Sequence, residues 1–213
     1  YAEFVTGPSR QFARKPVSLS HTEAGGLPLA GLTAWQILVD TADVCPGQRI
    51  LITAAGGGVG HLAVQIAKAR GAYVIATARA DKHAFLLGLG ADEALDYTRM
   101  SIADEVRDVD VVVDAMGGAH SLTLLQVLRP GGLIVPVLGG TTPEIDAAAA
   151  SHGVRARSFL VEPDGAGLQE LAALAEAGRL RVEVATALPL EQVAKAHAIG
   201  ELGRTRGKIV LTM

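Results

Sequence analysis

Ile50-Leu51-Ile52-Thr53-Ala54-Ala55-Gly56-Gly57-Gly58-Val59-Gly60 opens with an apolar run and breaks into a turn of four glycines. Val59, Leu62, Ala63 and Ile66 then recur at helical spacing, and after Gly71 comes a second apolar run, Tyr73-Val74-Ile75-Ala76. Strand, glycine turn, helix and strand in this order form the βαβ unit that holds a dinucleotide. A pyrophosphate is bound by backbone N–H groups at a helix N-terminus, where the helix dipole favours negative charge. Side chains would keep the phosphate away, and glycine has none. The register is Ala55-x-Gly57-x-x-Gly60, with alanine where the usual pattern has its first glycine. Ala55, Gly57, Gly58, Val59 and Gly60 are therefore the candidate phosphate cradle. The bland alternative, an ordinary tight turn, is disfavoured by the flanking strand, helix and second strand.

Outward from this unit the chain keeps alternating. Strands are expected at residues 93–97, 109–114 (a β-branched run ending in an acid), 132–138 after the turn Arg129-Pro130-Gly131, and 154–161 as an edge. Helices are expected at 81–89, 102–107 and 118–128. Alternating strands and helices imply a parallel sheet covered on both faces. Six strands in two halves make a doubly wound α/β Rossmann sheet. Before it, residues 1–6 alternate weakly like an edge strand. Ser20 and Glu23 are spaced as a capping box, and residues 31–44 read as a buried helix with the only tryptophan, Trp35. After it, alanine-rich 146–150 is a helix or linker. A helix at 167–177, a strand at 181–188, a helix at 190–201 opened by Pro189, and a closing strand at 207–213 complete the chain.

Of the 213 residues, 49% are hydrophobic and 19% charged, a globular composition. The net charge of −3 and the lack of a Lys/Arg run give no electrostatic case for nucleic acid. No apolar run reaches the roughly 20 residues of a membrane helix, so no membrane partner is expected. The single cysteine, Cys45, makes neither an internal disulfide nor a zinc cluster, and a reducing cytoplasmic setting fits it. His21, His61, His83, His120, His152 and His197 show no ligand spacing, so no metal residue is named. No acid/base pair stands out, and no catalytic residue is named. His61, at the head of the helix after Gly60, is read as packing near the phosphate.

Leu29-Ala30-Gly31-Leu32-Thr33-Ala34-Trp35, Pro46-Gly47-Gln48-Arg49-Ile50-Leu51-Ile52 and the glycine turn resemble the medium-chain dehydrogenase/reductase superfamily, in particular its zinc-independent quinone oxidoreductase branch. Leu89-Gly90-Ala91-Asp92, Leu128-Arg129-Pro130-Gly131-Gly132 and Gly207-Lys208-Ile209-Val210-Leu211 agree. The resemblance covers essentially the whole chain. It implies a GroES-like catalytic domain, of which residues 1–29 look like the final portion and whose body would lie upstream of Tyr1. Residues 30–165 would be the dinucleotide-binding domain, and 166–213 would pack on it and partly return to the catalytic domain. Zinc-dependent relatives place a cysteine ligand near Gly31-Leu32-Thr33, whereas Cys45 lies elsewhere. The resemblance also implies a homodimer paired through the edge at 154–161.

An acid at the end of the second strand would accept hydrogen bonds from the adenosine ribose and select NAD. Counting from Ala55, that position falls at Arg79, whose fork matches a phosphate, and Lys82 adds a point charge. Asp81 is read as a helix N-cap facing the backbone. Tyr97 matches a family tyrosine that contacts the 2′-phosphate, so NADP(H) is the expected cofactor. Thr33 aligns with a family threonine near the nicotinamide, the equal alternative being a hydroxyl bonded to its own helix. Leu138, Gly139, Phe159 and Val161 follow the fifth and sixth strands, where family loops enclose the nicotinamide. Lys208 reaches a phosphate or is a surface lysine. The expected activity is hydride transfer from NADPH to a quinone or to the C=C bond of an α,β-unsaturated carbonyl. The alternatives are a non-catalytic NADPH-binding protein and an excised enoyl reductase module of a polyketide synthase.

Overall fold

The computed structural model describes residues 2 and 4–213. The chain runs through α1 (His21–Gly26), α2 (Pro28–Trp35), β1 (Arg49–Ile52), α3 (Gly60–Ala69), β2 (Tyr73–Thr77), α4 (His83–Gly88), β3 (Glu93–Leu95), α5 (Ile102–Glu105), β4 (Val109–Asp114), α6 (Ala119–Leu124), β5 (Leu128–Pro136), α7 (Pro143–Ser151), β6 (Arg155–Ala156), α8 (Gly165–Glu176), β7 (Val184–Pro189), α9 (Val193–Glu201) and β8 (Lys208–Thr212). Six strands form one sheet in the order β3-β2-β1-β4-β5-β6, and every pair in it is parallel. The doubly wound α/β sheet expected from the alternation is present.

Register explains why the central strands are apolar throughout. Ile50 and Ile52 of β1 share a face with Val74, Ala76, Val111, Val113, Leu133 and Val135, packed with Leu62, Ala63 and Ile66 of α3 and Leu32 of α2. Leu51 points the other way, with Ile75, Val112 and Ile134, against Ile102, Leu124 and Ala149 of α5, α6 and α7. A strand covered on both faces has no polar side to show. Ligands in such sheets bind beyond the carboxyl ends of the strands where the order reverses, which here is between β1 and β4. β7 and β8 form a separate two-stranded parallel sheet.

Several expected bounds shift, each for a local reason. The strand at 154–161 shrinks to Arg155–Ala156, paired with Leu133 and Ile134. Beyond it Ser158 Oγ accepts from Thr141 N at 2.9 Å, and Gln36 exchanges two hydrogen bonds with the backbone of Glu162, so side chains pull this segment off the sheet edge. The helix at 31–44 starts earlier, with Pro28 in its first turn, and widens into π turns over Gln36–Thr41. The Arg129-Pro130-Gly131 turn is an excursion inside β5, where pairing jumps from Val109–Leu128 to Val111–Leu133. No strand forms at residue 2 or 4–6; Tyr1 and Glu3, the remainder of that expectation, lie outside the described residues. The Ser20–Glu23 capping box is present in both directions.

Candidate dinucleotide site

The glycine turn owes its shape to close approaches. A Cβ at Gly60 would stand 2.5 Å from the Ala54 carbonyl oxygen and 2.6 Å from the Ala55 Cα, so only glycine lets α3 descend onto the end of β1. A Cβ at Gly56 would meet Lys82 Cδ at 2.7 Å. The residue in left-handed backbone is Ala54, with φ 45°, whose carbonyl accepts from Gly57 N. The turn thus leaves a cradle over the N-terminus of α3 in which its glycines place no side chain of their own.

A cavity of 410 Å³ opens on this cradle. Its walls come from the turn (Thr53, Ala54, Gly56, Gly57), the end of β2 and its loop (Thr77 to Arg79, Asp81, Lys82) and Tyr97 after β3. Met116 and His120 after β4, and the loop Gly203–Thr205, complete it. Arg79, Lys82, Tyr97 and Gly57, chosen from the sequence, are brought together here. Tyr97 stands beside Arg79, and its hydroxyl holds the guanidinium above arginine's ordinary pKa. Lys82 Nζ donates to the Thr205 carbonyl at 3.0 Å and Gly207 N to Gly56 O at 3.0 Å, which pins the C-terminal loop over the turn. Lys208 follows that loop: its Cδ would lie 3.1 Å from a Cβ on Gly58. Burial pushes its pKa down. It is a partly buried lysine at the turn, not a free surface cation.

Asp81 does not cap a helix. It sits inside a single 3-10 turn, Ala80–Lys82, and neither that turn nor α4 has a side-chain cap. The backbone here is held instead by Asp96, which accepts from Ala80 N at 3.2 Å, from Thr98 N at 2.9 Å and from Thr98 Oγ1 at 2.6 Å. These bonds, those to Thr98 foremost, keep its carboxyl below the usual range. Freed from capping, Asp81 lines the cavity.

Asp114 ends β4 fully buried and accepts from Thr53 Oγ1 (2.8 Å), Ser121 Oγ (2.7 Å), Met116 N (3.0 Å), Gly117 N (3.2 Å) and His120 Nδ1 (3.1 Å). Burial alone would raise its pKa, but these donors outweigh it and hold the carboxyl low. In return Asp114 raises His120. His61 is buried between elements: Nδ1 donates to Gly57 O at 2.8 Å and Nε2 accepts from Glu183 N at 3.2 Å. That pattern is the neutral ring, and burial keeps its pKa low. Both ring nitrogens are engaged, in keeping with a packing role.

The other chosen residues stand apart from this cavity. Ala55 and Gly60 are buried behind the turn, and Gly58 and Val59 are half-buried at the head of α3. Thr33 is buried and donates to Leu29 O at 2.7 Å, the bond to its own helix. Leu138 is exposed and Gly139 has φ 76°. Phe159 and Val161 pack partly buried on the α2–α3 side of the core. Sequence reading missed Thr53, Asp96, His120 and the Gly203–Thr205 loop. The acid ending the β4 run was visible, but its partners lie on separate elements. Among the described residues no group of three or more His, Cys, Asp or Glu could hold a metal ion.

A parallel sheet in this order with a side-chain-free cradle at its switch point defines a Rossmann-type dinucleotide-binding protein. The family profile described as zinc-binding dehydrogenase matches residues 89–211. Mouse NAD(P)H oxidoreductase RTN4IP1, mitochondrial, is 32% identical over 100% of this chain and 61% of its own length. The NADPH-dependent alkenal/one oxidoreductase, chloroplastic, of Arabidopsis thaliana is 35% identical over 99% of this chain and 52% of its own. The quinone oxidoreductase structure from Coxiella burnetii superposes with a TM-score of 0.89 at 36% identity, covering 94% of this chain and 63% of that one. The chain therefore belongs to the zinc-binding dehydrogenase family within the medium-chain dehydrogenase/reductase superfamily of oxidoreductases. It spans under two thirds of the length of each of these three proteins. The cytoplasmic setting expected from the lone cysteine does not stand, because relatives from mouse, zebrafish and Arthroderma benhamiae are named mitochondrial. A lone thiol carries no address. Among the described residues no helix is long and apolar enough to cross a membrane.

Proposed function

We propose that this chain holds NADPH in the cavity above the glycine turn and serves hydride transfer, without zinc, to a quinone or to the C=C bond of an α,β-unsaturated carbonyl. One observation carries the cofactor choice: Arg79, Lys82 and Tyr97 meet at the end of β2, with Arg79 at the position of the acid that selects NAD, and the two cations outweigh Asp81, the one acid lining this cavity. The residues fit the group. The cradle at Gly57–Gly60 admits a pyrophosphate to the head of α3, and Lys208 lies beside it. Arg79 would grip the 2′-phosphate through its planar fork. Thr33, Leu138, Gly139, Phe159 and Val161 would border the nicotinamide half. The cofactor supplies the hydride, and the protein's part is to bind and orient it and to exclude water. No residue of this chain is assigned to proton transfer.

The relatives' names support the acceptor class, a small molecule with a conjugated carbonyl: one acts on alkenals and alkenones, another is a quinone oxidoreductase. A homodimer paired through residues 154–161, of which Arg155–Ala156 lie on the sheet edge, belongs to the same proposal. The test is consumption of NADPH absorbance by the natural polypeptide over a panel of quinones and enones. Turnover on members of either class is expected. Tight NADPH binding with no turnover on any of them would leave a cofactor-binding protein and end the enzyme reading.

A further inference from the structure

We infer that His120 is a proton-dependent contact for the adenine base of the dinucleotide, an inference that rests on the NADPH reading above. Sheet order places β2 and β3 on one side of β1 and β4 on the other. The cavity therefore spans the end of β1, from Arg79 and Tyr97 on one wall to Met116 and His120 on the other. With the 2′-phosphate on the cationic wall, the base on the same ribose faces the wall after β4. That wall offers the apolar side chain of Met116 and one ring, His120.

The ring is held by a built support. Asp114 is fully buried, and four donors besides His120 keep it a carboxylate. His120 turns Nδ1 to it at 3.1 Å, so that edge carries the proton in either state of the ring. Nε2 lies on the opposite edge, with no hydrogen-bond partner among the described residues, in a side chain 39% exposed. In the neutral ring Nε2 is only an acceptor, and in the charged ring it is a second donor. The adenine ring nitrogens not bonded to the ribose are acceptors, so the charged ring matches them and sets a positive charge beside an anionic ligand.

The groups lining the cavity around His120 are Arg79, Asp81 and Lys82 from the β2–α4 loop, Tyr97 after β3, and Arg204 from the C-terminal loop; Asp114 and Ser121 lie behind it. The cations oppose protonation. The hydrogen bond to Asp114 and the charge of that carboxylate outweigh the cost of burial, and the His120 pKa lies above the ordinary histidine value. The base is common to both nicotinamide cofactors, so His120 should act on NADPH and NADH alike, whereas Arg79 should act on NADPH alone.

The experiment measures dissociation constants of NADPH and NADH for the whole chain between about pH 5.5 and 8.5, for wild type and His120→Gln. Wild-type affinity for both cofactors should fall about tenfold as pH rises, the size expected of one charge-assisted hydrogen bond. His120→Gln should bind NADH with no dependence on pH, and with NADPH should keep only the shallow trend of the 2′-phosphate's own titration. Calorimetry of wild type with NADH in two buffers of different ionisation enthalpy should show proton uptake near neutral pH, a readout that needs no variant. Identical pH profiles for wild type and variant, or NADH binding without proton uptake, would overturn the assignment and leave the NADPH reading intact. Failure of both cofactors to bind at any pH would remove the NADPH reading and this inference with it.

Discussion

Gly60 is where α3 and the end of β1 come closest, and the contact is with backbone that cannot step aside. Gly60→Ala should therefore cost about 1–3 kcal/mol, read as a lowered urea midpoint, with cofactor affinity falling in parallel. An unchanged midpoint would mean the turn relaxes freely. Arg79 tests chemistry in place of packing. Arg79→Asp should weaken NADPH by about tenfold or more, the loss of a bidentate phosphate contact, and leave NADH unchanged or improved, as read by fluorescence titration. Arg79 was legible in the sequence because it follows a strand end at a countable distance from the turn, and Tyr97 because it matches a tyrosine of the family the chain resembles. Asp81 was misread because its place before an apolar run resembles a cap, whereas Asp96, just after β3, holds that backbone. His120 was not legible: its partner lies six residues away, but its place in the cavity depends on β4 lying beside β1.

At the scale of elements, α3 does two things. Its head makes the cradle, and its next turn carries His61 and Gln65, one helical turn apart, facing the segment that leads into β7. Gln65 Nε2 donates to Arg181 O at 3.0 Å and Gln65 Oε1 accepts from Arg181 N at 2.9 Å, while His61 accepts from Glu183 N. These bonds fasten the C-terminal portion to the nucleotide fold. The lowered His61 pKa, caused first by burial, gives them a pH dependence. The unfolded chain binds the proton at about 6.5 and the folded chain only lower, so this stability is present above that value and lost as pH falls below it. His120 works in the opposite sense, its contribution disappearing as pH rises through its raised value. The difference between wild type and His61→Gln isolates the first effect. Chemical denaturation should show wild type losing more stability than the variant between about pH 7.5 and 5.5. Equal losses would contradict a buried neutral ring. The strands and helices that pack on both sheet faces were legible from their unbroken apolar runs. The β6 edge was not, because Thr141 and Gln36, from elsewhere in the chain, bond Ser158 and Glu162 just beyond it and override a fair alternating pattern.

As a whole molecule the chain places a glycine cradle, a cationic wall and a histidine-bearing wall around one cavity, and closes it with a loop from its own C-terminal portion. The C-terminal loop was the least legible part, since it is fixed by Gly56 and Lys82, well over a hundred residues earlier. A ligand that spans these pieces should tie them together. NADPH at a hundred times its dissociation constant should stabilise the fold by about 2.7 kcal/mol, by mass action on the native state, visible as a raised thermal midpoint. The central claim, that the wall at Arg79 reads a 2′-phosphate, is tested most directly by comparing the dissociation constants of NADPH and NADH at one pH and salt concentration. The account predicts NADPH binding at least about tenfold tighter; equal affinities, or tighter binding of NADH, would contradict it.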